Sequence, residues 1–95
     1  MLSAVLARNV ARRFRLDGRK GLLAEGKDAD FCVIELGPER QIDADELWTR
    51  HRLSAYVGRR TRARITDTYV GGNPVYASGR LVNLSKPGRF LRPER

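Results

Sequence analysis

Between Ser3 and Phe14 the apolar residues Leu6, Val10 and Phe14 recur at every fourth position, while Arg8, Arg12, Arg15 and Arg19 fall on another face. That spacing predicts an amphipathic helix, with Ser3 placed to cap its N-terminus. Asn9 leaves two readings open, one continuous helix or two short ones meeting at Val10, because Asn caps helices well. Gly18, Gly21 and Gly26 then punctuate a loop. The apolar run from Phe31 to Leu36, broken only by Glu35, has the length and β-branched content of a strand. Gly37-Pro38 is expected to end it.

Asp43 and Glu46 stand at capping-box spacing, which predicts a short helix from Ala44 to about Arg50 carrying Leu47 and Trp48. After a loop around Tyr56-Val57-Gly58, the segment Thr61 to Val70 alternates. Ala63, Ile65, Asp67 and Tyr69 fall on one face and Arg62, Arg64, Thr66, Thr68 and Val70 on the other, the pattern of a strand. Gly71-Gly72-Asn73-Pro74 supplies turn chemistry, so Val75-Tyr76-Ala77 is expected to return as the second strand of a hairpin. Ser78-Gly79 is a second turn and Arg80-Leu81-Val82 a last extended piece. Lys86 to Arg95 is rich in Pro, Gly and Arg and is expected to be a poorly ordered basic tail. The fold class is therefore mainly β with short helices.

At 95 residues the chain supports one domain, and a domain of that size buries only about 60–65% of its unfolded surface. Hydrophobic content of 41% with 32% charged residues places it among globular rather than disordered chains. The formal charge of +8 arises from nineteen basic residues, sixteen of them Arg, against eleven acidic ones. The basic residues cluster in two blocks, from Arg8 to Lys20 and from Arg50 to Arg64, with an acidic segment from Glu25 to Glu46 between them. Two readings follow: a surface that attracts phosphates, or an arginine-rich source proteome. Arg59-Arg60-Thr61-Arg62-Ala63-Arg64 ahead of Tyr69 and Tyr76 resembles a basic hairpin with stacking aromatics, but no RNA-recognition motif accompanies it. Cys32, the single cysteine, sits in an apolar run as a small hydrophobe, and a reducing cytoplasmic setting is expected. The apolar N-terminus is interrupted by Arg8 before it could serve as a signal sequence, and nothing approaches a membrane span.

Candidate chemistry is sparse. Hydrolytic metal sites need several converging ligands, and His51 is the sole histidine. Ser54 lies three residues beyond it, a spacing that makes no triad. Asp28 and Asp30 alternate in a glycine loop as cation ligands can, yet Phe31 to Ile34 adds no further acid. A structural role suits them better, with Gly26 and Asp28 forming the turn and Asp30 accepting backbone N–H groups at the start of the strand. No catalytic, cofactor-binding or metal-ligating residue is assigned.

Several of these segments resemble the cyclic-amide branch of the metal-dependent amidohydrolases. Asn9-Val-Ala-Arg-Arg-Phe14 is similar to that family's Asn-Pro-Ala-Arg-x-Phe segment, and Lys20-Gly21 with Gly26-Lys-Asp-Ala-Asp-Phe31 matches its Lys-Gly and Gly-x-Asp-Ala-Asp signature. His51-Arg-Leu-Ser-Ala-Tyr56-Val-Gly58 looks like its His-x-x-Ser-Pro-Tyr-x-Gly loop. Val70-Gly-Gly-Asn-Pro-Val75 occupies the place of its Arg-Gly-x-x-Val hairpin, and Pro87-Gly-Arg-Phe-Leu91 resembles the tails of the allantoinase family, with dihydroorotases and hydantoinases as neighbours. Val10, Arg15 and Ala55 depart from it, standing where the family pattern has proline, glycine and proline.

The resemblance implies a (β/α)₈ barrel beside a composite β-sandwich, with zinc or another divalent metal in the intact enzyme and ring opening of a cyclic ureide by metal-activated water. The family's histidines, carboxylated lysine and catalytic aspartate belong to barrel segments without a counterpart here, so this chain is expected to hold no cofactor and to be inactive alone. Residues 1–19 would be the helix that flanks the barrel, residues 20–85 the C-terminal portion of a partial β-sandwich, and residues 86–95 a flexible basic tail. Leu6, Val10, Phe14, Ile65 and Tyr69 would then lie uncovered, which implies self-association or a separate barrel chain as partner.

Overall fold

The computed structural model describes residues 1–82 and 88–94. The N-terminal apolar stripe does form a helix, which runs without a break through Asn9. Ala4–Arg8 is π-helical, the Asn9 N–H bonds back to the Ala4 carbonyl, and the ladder then tightens into α1 (Asn9–Arg13). A proline at position 10 would clash with the carbonyl four residues earlier, whereas Val10 lets the helix continue. Ser3 is not the expected cap: it is itself helical, at φ −62° and ψ −31°, and its side chain makes no capping bond.

The helix ends in a Schellman motif. Arg15 N–H bonds to the Arg12 carbonyl at 3.1 Å and Leu16 N–H to the Ala11 carbonyl at 2.8 Å, with Arg15 left-handed at φ 55°. That position favours glycine, so Arg15 holds it under strain. Gly21 at φ 90° then lays the following loop on the helix so closely that a Cβ there would meet the Ala11 Cβ at 2.6 Å.

The remainder is one open antiparallel sheet in the order β1-β2-β3-β4, comprising β1 (Phe31–Gln41), β2 (Arg60–Val70), β3 (Asn73–Ala77) and β4 (Arg80–Leu81). Both tight hairpins are as the turn residues require. Gly71 and Gly72 have φ of 57° and 79°, and Ser78 and Gly79 have φ of 51° and 83°, the paired positive values of type I′ turns. Asn73 and Pro74 belong to β3 rather than to the turn.

Three further sequence expectations fail, two of them for reasons that lie in strand pairing. Gly37-Pro38 does not end β1. The register passes from Leu36 opposite Ala63 to Arg40 opposite Thr61, so Gly37, Pro38 and Glu39 form a bulge on an outer strand, where the missing proline N–H is tolerated. Arg62 Nε donates to the freed Gly37 carbonyl at 3.1 Å. The faces of β2 also differ. Val33 pairs with Asp67 but Ile34 with Ile65, leaving Thr66 as an extra residue. This bulge switches the alternation, so Thr66 and Thr68 join Thr61, Ala63 and Ile65 on one face while Asp67 and Tyr69 leave it. Finally, the capping box is present, with Asp45 N–H donating to Asp43 Oδ1 at 3.1 Å and Asp43 N–H to Glu46 Oε1 at 3.3 Å. The turn it starts is only the 3₁₀ segment Ala44–Glu46. Beyond it Trp48, Thr49 and His51 are weak helix formers, and Trp48 is 75% exposed.

Of the tail assigned to residues 86–95, Lys86, Pro87 and Arg95 lie outside the described residues. The described part forms no helix or strand, and Glu94 N–H bonds to the Arg15 carbonyl at 2.7 Å. Almost nothing is buried. Ala11 is the one buried residue among those described, and the helix stripe stays open, with Leu6 68% and Phe14 59% exposed. A compact monomer of 10.8 kDa exposes about 5,500 Å². This chain exposes 8575 Å², a surplus of about 3,000 Å².

Two substitutions test this backbone account by urea unfolding. Arg15→Gly relieves the left-handed residue and is expected to raise stability by about 0.5–1 kcal/mol. Gly21→Ala forces the loop off the helix at Ala11 and is expected to lower it by about 2 kcal/mol or more.

Candidate functional site

Asp28 and Asp30 do converge, but on a lysine. The turn at Gly26, with φ 82°, brings Asp28 N–H to the Arg19 carbonyl at 2.9 Å and sets both carboxylates around the Lys20 ammonium. Lys20 Nζ lies 2.9 Å from Asp28 Oδ2 and also bonds Asp30 Oδ2, while Arg19 Nη2 reaches Asp28 at 3.0 Å. The other oxygen of Asp30 accepts the Gly71 N–H at 2.8 Å, and Gly72 N–H bonds to the Ala29 carbonyl at 3.0 Å. One motif therefore clamps the helix-to-strand loop to the β2–β3 hairpin. Asp30 accepts a backbone N–H as expected, although the donor stands forty-one residues along the chain. Phe31 stacks on Tyr69 beside this clamp, centroids 4.8 Å apart.

The charges respond accordingly. The hydrogen bonds that the Lys20 ammonium donates to Asp30 and then to Asp28 raise its pKa above the ordinary lysine value. The Lys20 hydrogen bond lowers both carboxylates, and the Gly71 N–H lowers Asp30 further. Depressed carboxylate values mean stability that is present above the unfolded value, about 4, and lost as pH falls through the folded one. A raised lysine value means stability that is complete below about 10 and lost as pH rises further.

The other candidates are not brought together. His51 sits in an exposed turn, and the Ser54 hydroxyl accepts the Tyr56 N–H at 3.1 Å. Among the described residues no three His, Cys, Asp or Glu side chains converge as a metal centre requires. The Asp28–Asp30 pair is closed by an ammonium and a backbone N–H, so these two carboxylates do not fit a hydrolytic metal. The basic hairpin is also partly engaged: Arg60 faces Glu39 at 3.4 Å, Arg62 bonds Gly37, and the Tyr69 ring is stacked on Phe31.

Sequence reasoning missed a groove of about 1050 Å³ across the sheet, whose lining includes Ile34, Ile42, Trp48, Ile65 and Leu81 beside charged residues such as Arg40 and Glu46. Its signal was scattered over every strand and hidden by the bulge at Thr66. No helix among the described residues is long and apolar enough to cross a membrane.

The clamp is testable through its pH dependence. Lys20→Met should lower the urea midpoint at pH 7, and the deficit should shrink as pH falls towards about 3, where protonation removes the repulsion between Asp28 and Asp30. A deficit that is constant with pH would contradict the assignment.

The clamp residues lie in the stretch shared with known proteins. The chain is 42% identical over 94 residues to an allantoinase of Rubrobacter xylanophilus, covering 99% of this chain and 20% of that one. It is 40% identical over 93 residues to an allantoinase of Deinococcus radiodurans, covering 98% of this chain and 20% of the relative. The chain thus spans about a fifth of the length of these curated relatives. Its structure superposes on a D-hydantoinase with a TM-score of 0.80 at 24% identity, over 94% of this chain and 20% of the other. An L-hydantoinase from Arthrobacter aurescens matches with a TM-score of 0.73 at 27% identity, over 86% of this chain and 18% of the other. The sequence pattern of the Amidohydrolase family matches residues 2–76, four-fifths of the chain with the clamp inside, and the chain belongs to that family.

Proposed function

We propose that this chain is the C-terminal, sandwich-forming share of an allantoinase-like cyclic-amide hydrolase, and that it is inactive by itself. In the intact enzyme the reaction would be hydrolysis of a ring C–N amide bond. The observation that carries the reading is the use made of Asp28 and Asp30. The motif most characteristic of the family has both carboxylates committed to Lys20 and Gly71, which leaves them a scaffold role. The allantoinase relatives support the substrate class, since each aligns with nearly the whole of this chain.

Within such an enzyme the divalent metal would supply the hydrolytic chemistry from residues outside this chain. What this chain's own residues supply is positional. The clamp ties the loop that leaves the helix to the β2–β3 hairpin, and the groove and the helix stripe present apolar surface for the remainder of the enzyme to cover. Each large side chain so covered contributes about 1.5–3 kcal/mol, so docking rather than catalysis is the contribution of this part.

Purified 95-residue chain, assayed with allantoin with and without added zinc, is expected to give no turnover above buffer. Addition of a separately produced barrel chain is expected to restore hydrolysis. Metal-dependent turnover by the chain alone would overturn the proposal.

A further inference from the structure

We propose that the bulge in β1 carries an oxyanion site, a small pocket in which Arg40, Arg62 and Arg64 together take one phosphate group, free or as a monoester. The site stands on its geometry and charges and is independent of the hydrolase reading above.

The pocket measures about 150 Å³ and is lined by Glu35, Gly37, Pro38, Arg40, Arg62 and Arg64. Strand geometry and the bulge assemble it. Arg62 and Arg64 stand two positions apart on β2, so their side chains leave the same face about 6.5–7 Å from one another. Past Gly37, Pro38 and Glu39 the register resumes with Arg40 opposite Thr61, which brings a third guanidinium to the pocket. Two of the three are anchored through a single nitrogen each. Arg62 Nε donates to the Gly37 carbonyl at 3.1 Å, and Arg40 Nη1 donates to Glu46 Oε2 at 2.6 Å.

Donors outnumber acceptors here. Arg62 keeps both terminal NH₂ groups and Arg64 its whole fork, and neither forms an ion pair among the described residues. Glu35 is the one carboxylate that lines the pocket; it stands opposite Arg64 in the ladder, yet the two side chains do not bond. Arg40 Nε is closed to solvent and has no partner among the described residues, which costs that donor its hydration. An anion against the same guanidinium offsets the cost through its charge, without touching Nε. Three like charges around one small pocket repel one another, and a counter-charge between them removes that repulsion.

The donor set selects the ligand. A carboxylate has two oxygens and is satisfied by one arginine fork. A phosphate group offers more oxygens and up to two charges, enough for forks that arrive from separate residues.

Titration calorimetry of the full 95-residue chain with inorganic phosphate at about pH 8 and low ionic strength is expected to show one saturable site, with Kd of about 1 mM or tighter. Arg64→Gln should weaken binding at least about tenfold. Glu35→Gln should tighten it at least about threefold, because the carboxylate repels the anion and competes for the same guanidinium groups. Arg13→Gln removes the same charge from the helix and should change Kd less than about twofold. Acetate should bind at least about tenfold more weakly than phosphate. Phenyl phosphate separates the two sources: binding equal to that of inorganic phosphate extends the site to esters, weaker binding restricts it to the free ion, and both uphold it. Far-ultraviolet spectra check that each variant is folded. No saturable binding, acetate as strong as phosphate, or a loss in Arg13→Gln equal to that in Arg64→Gln would each overturn the proposal, the last by showing attraction to net charge alone. If Arg64→Gln does not fold, Glu35→Gln decides, and unchanged or weaker binding by that variant overturns the proposal as well.

Discussion

The Lys20 ammonium, set between Asp28 and Asp30, is the contact on which the arrangement of the other parts depends. Isolated surface ion pairs contribute about 0–1 kcal/mol, and several here, such as Arg60 with Glu39, are of that kind. The Lys20 cluster differs in being connected. Arg19 shares Asp28, and Asp30 passes the constraint to the Gly71 N–H, so the glycine loop that follows the helix and the β2–β3 hairpin become one unit. A chain with one buried residue among those described has little else to hold that loop to the hairpin. The stack of Phe31 on Tyr69 lies beside the clamp and shares that task.

Backbone geometry completes what the clamp begins. Gly21 allows the loop to lie against Ala11, and the two I′ turns send β3 and β4 back at the twist the sheet requires. The bulges at Gly37-Pro38-Glu39 and at Thr66 bend the outer strand pair and set which β2 side chains share a face with Ile34 and Ile65. The outcome is a half-structure in energetic terms. One sheet face, one helix stripe and one strand edge are apolar and uncovered, and the stabilising burial of such surfaces must come from outside the described residues.

Local signals in the chain translated well. Gly71-Gly72 and Ser78-Gly79 demanded positive φ and received it, Asp43 and Glu46 formed their capping box, and Arg15, standing where a helix wants glycine, occupies the left-handed position. These features depend on residues a few positions apart, so the sequence carries them openly. Lys20 was legible as part of a motif but not as the bridge between two carboxylates, because its ligands stand eight and ten residues away across a loop whose path Gly26 decides. The groove was not legible at all. The alternation of β2 predicts Asp67 and Tyr69 beside Ile65, and only the register against Val33 and Ile34 reveals the extra residue that turns them away.

The sequence by itself determined the family, the mainly β character, the turns and the scaffold role of Asp28 and Asp30, since each is written in short-range residue chemistry. Only the tertiary structure decided that β1 runs on through Gly37-Pro38, that the helix passes Asn9 without a break, and which side chains share the groove. The physical reason is that strand pairing and helix continuation are settled between partners. A proline is tolerated where the neighbouring strand releases it from the ladder, and a face is defined only once its register is set.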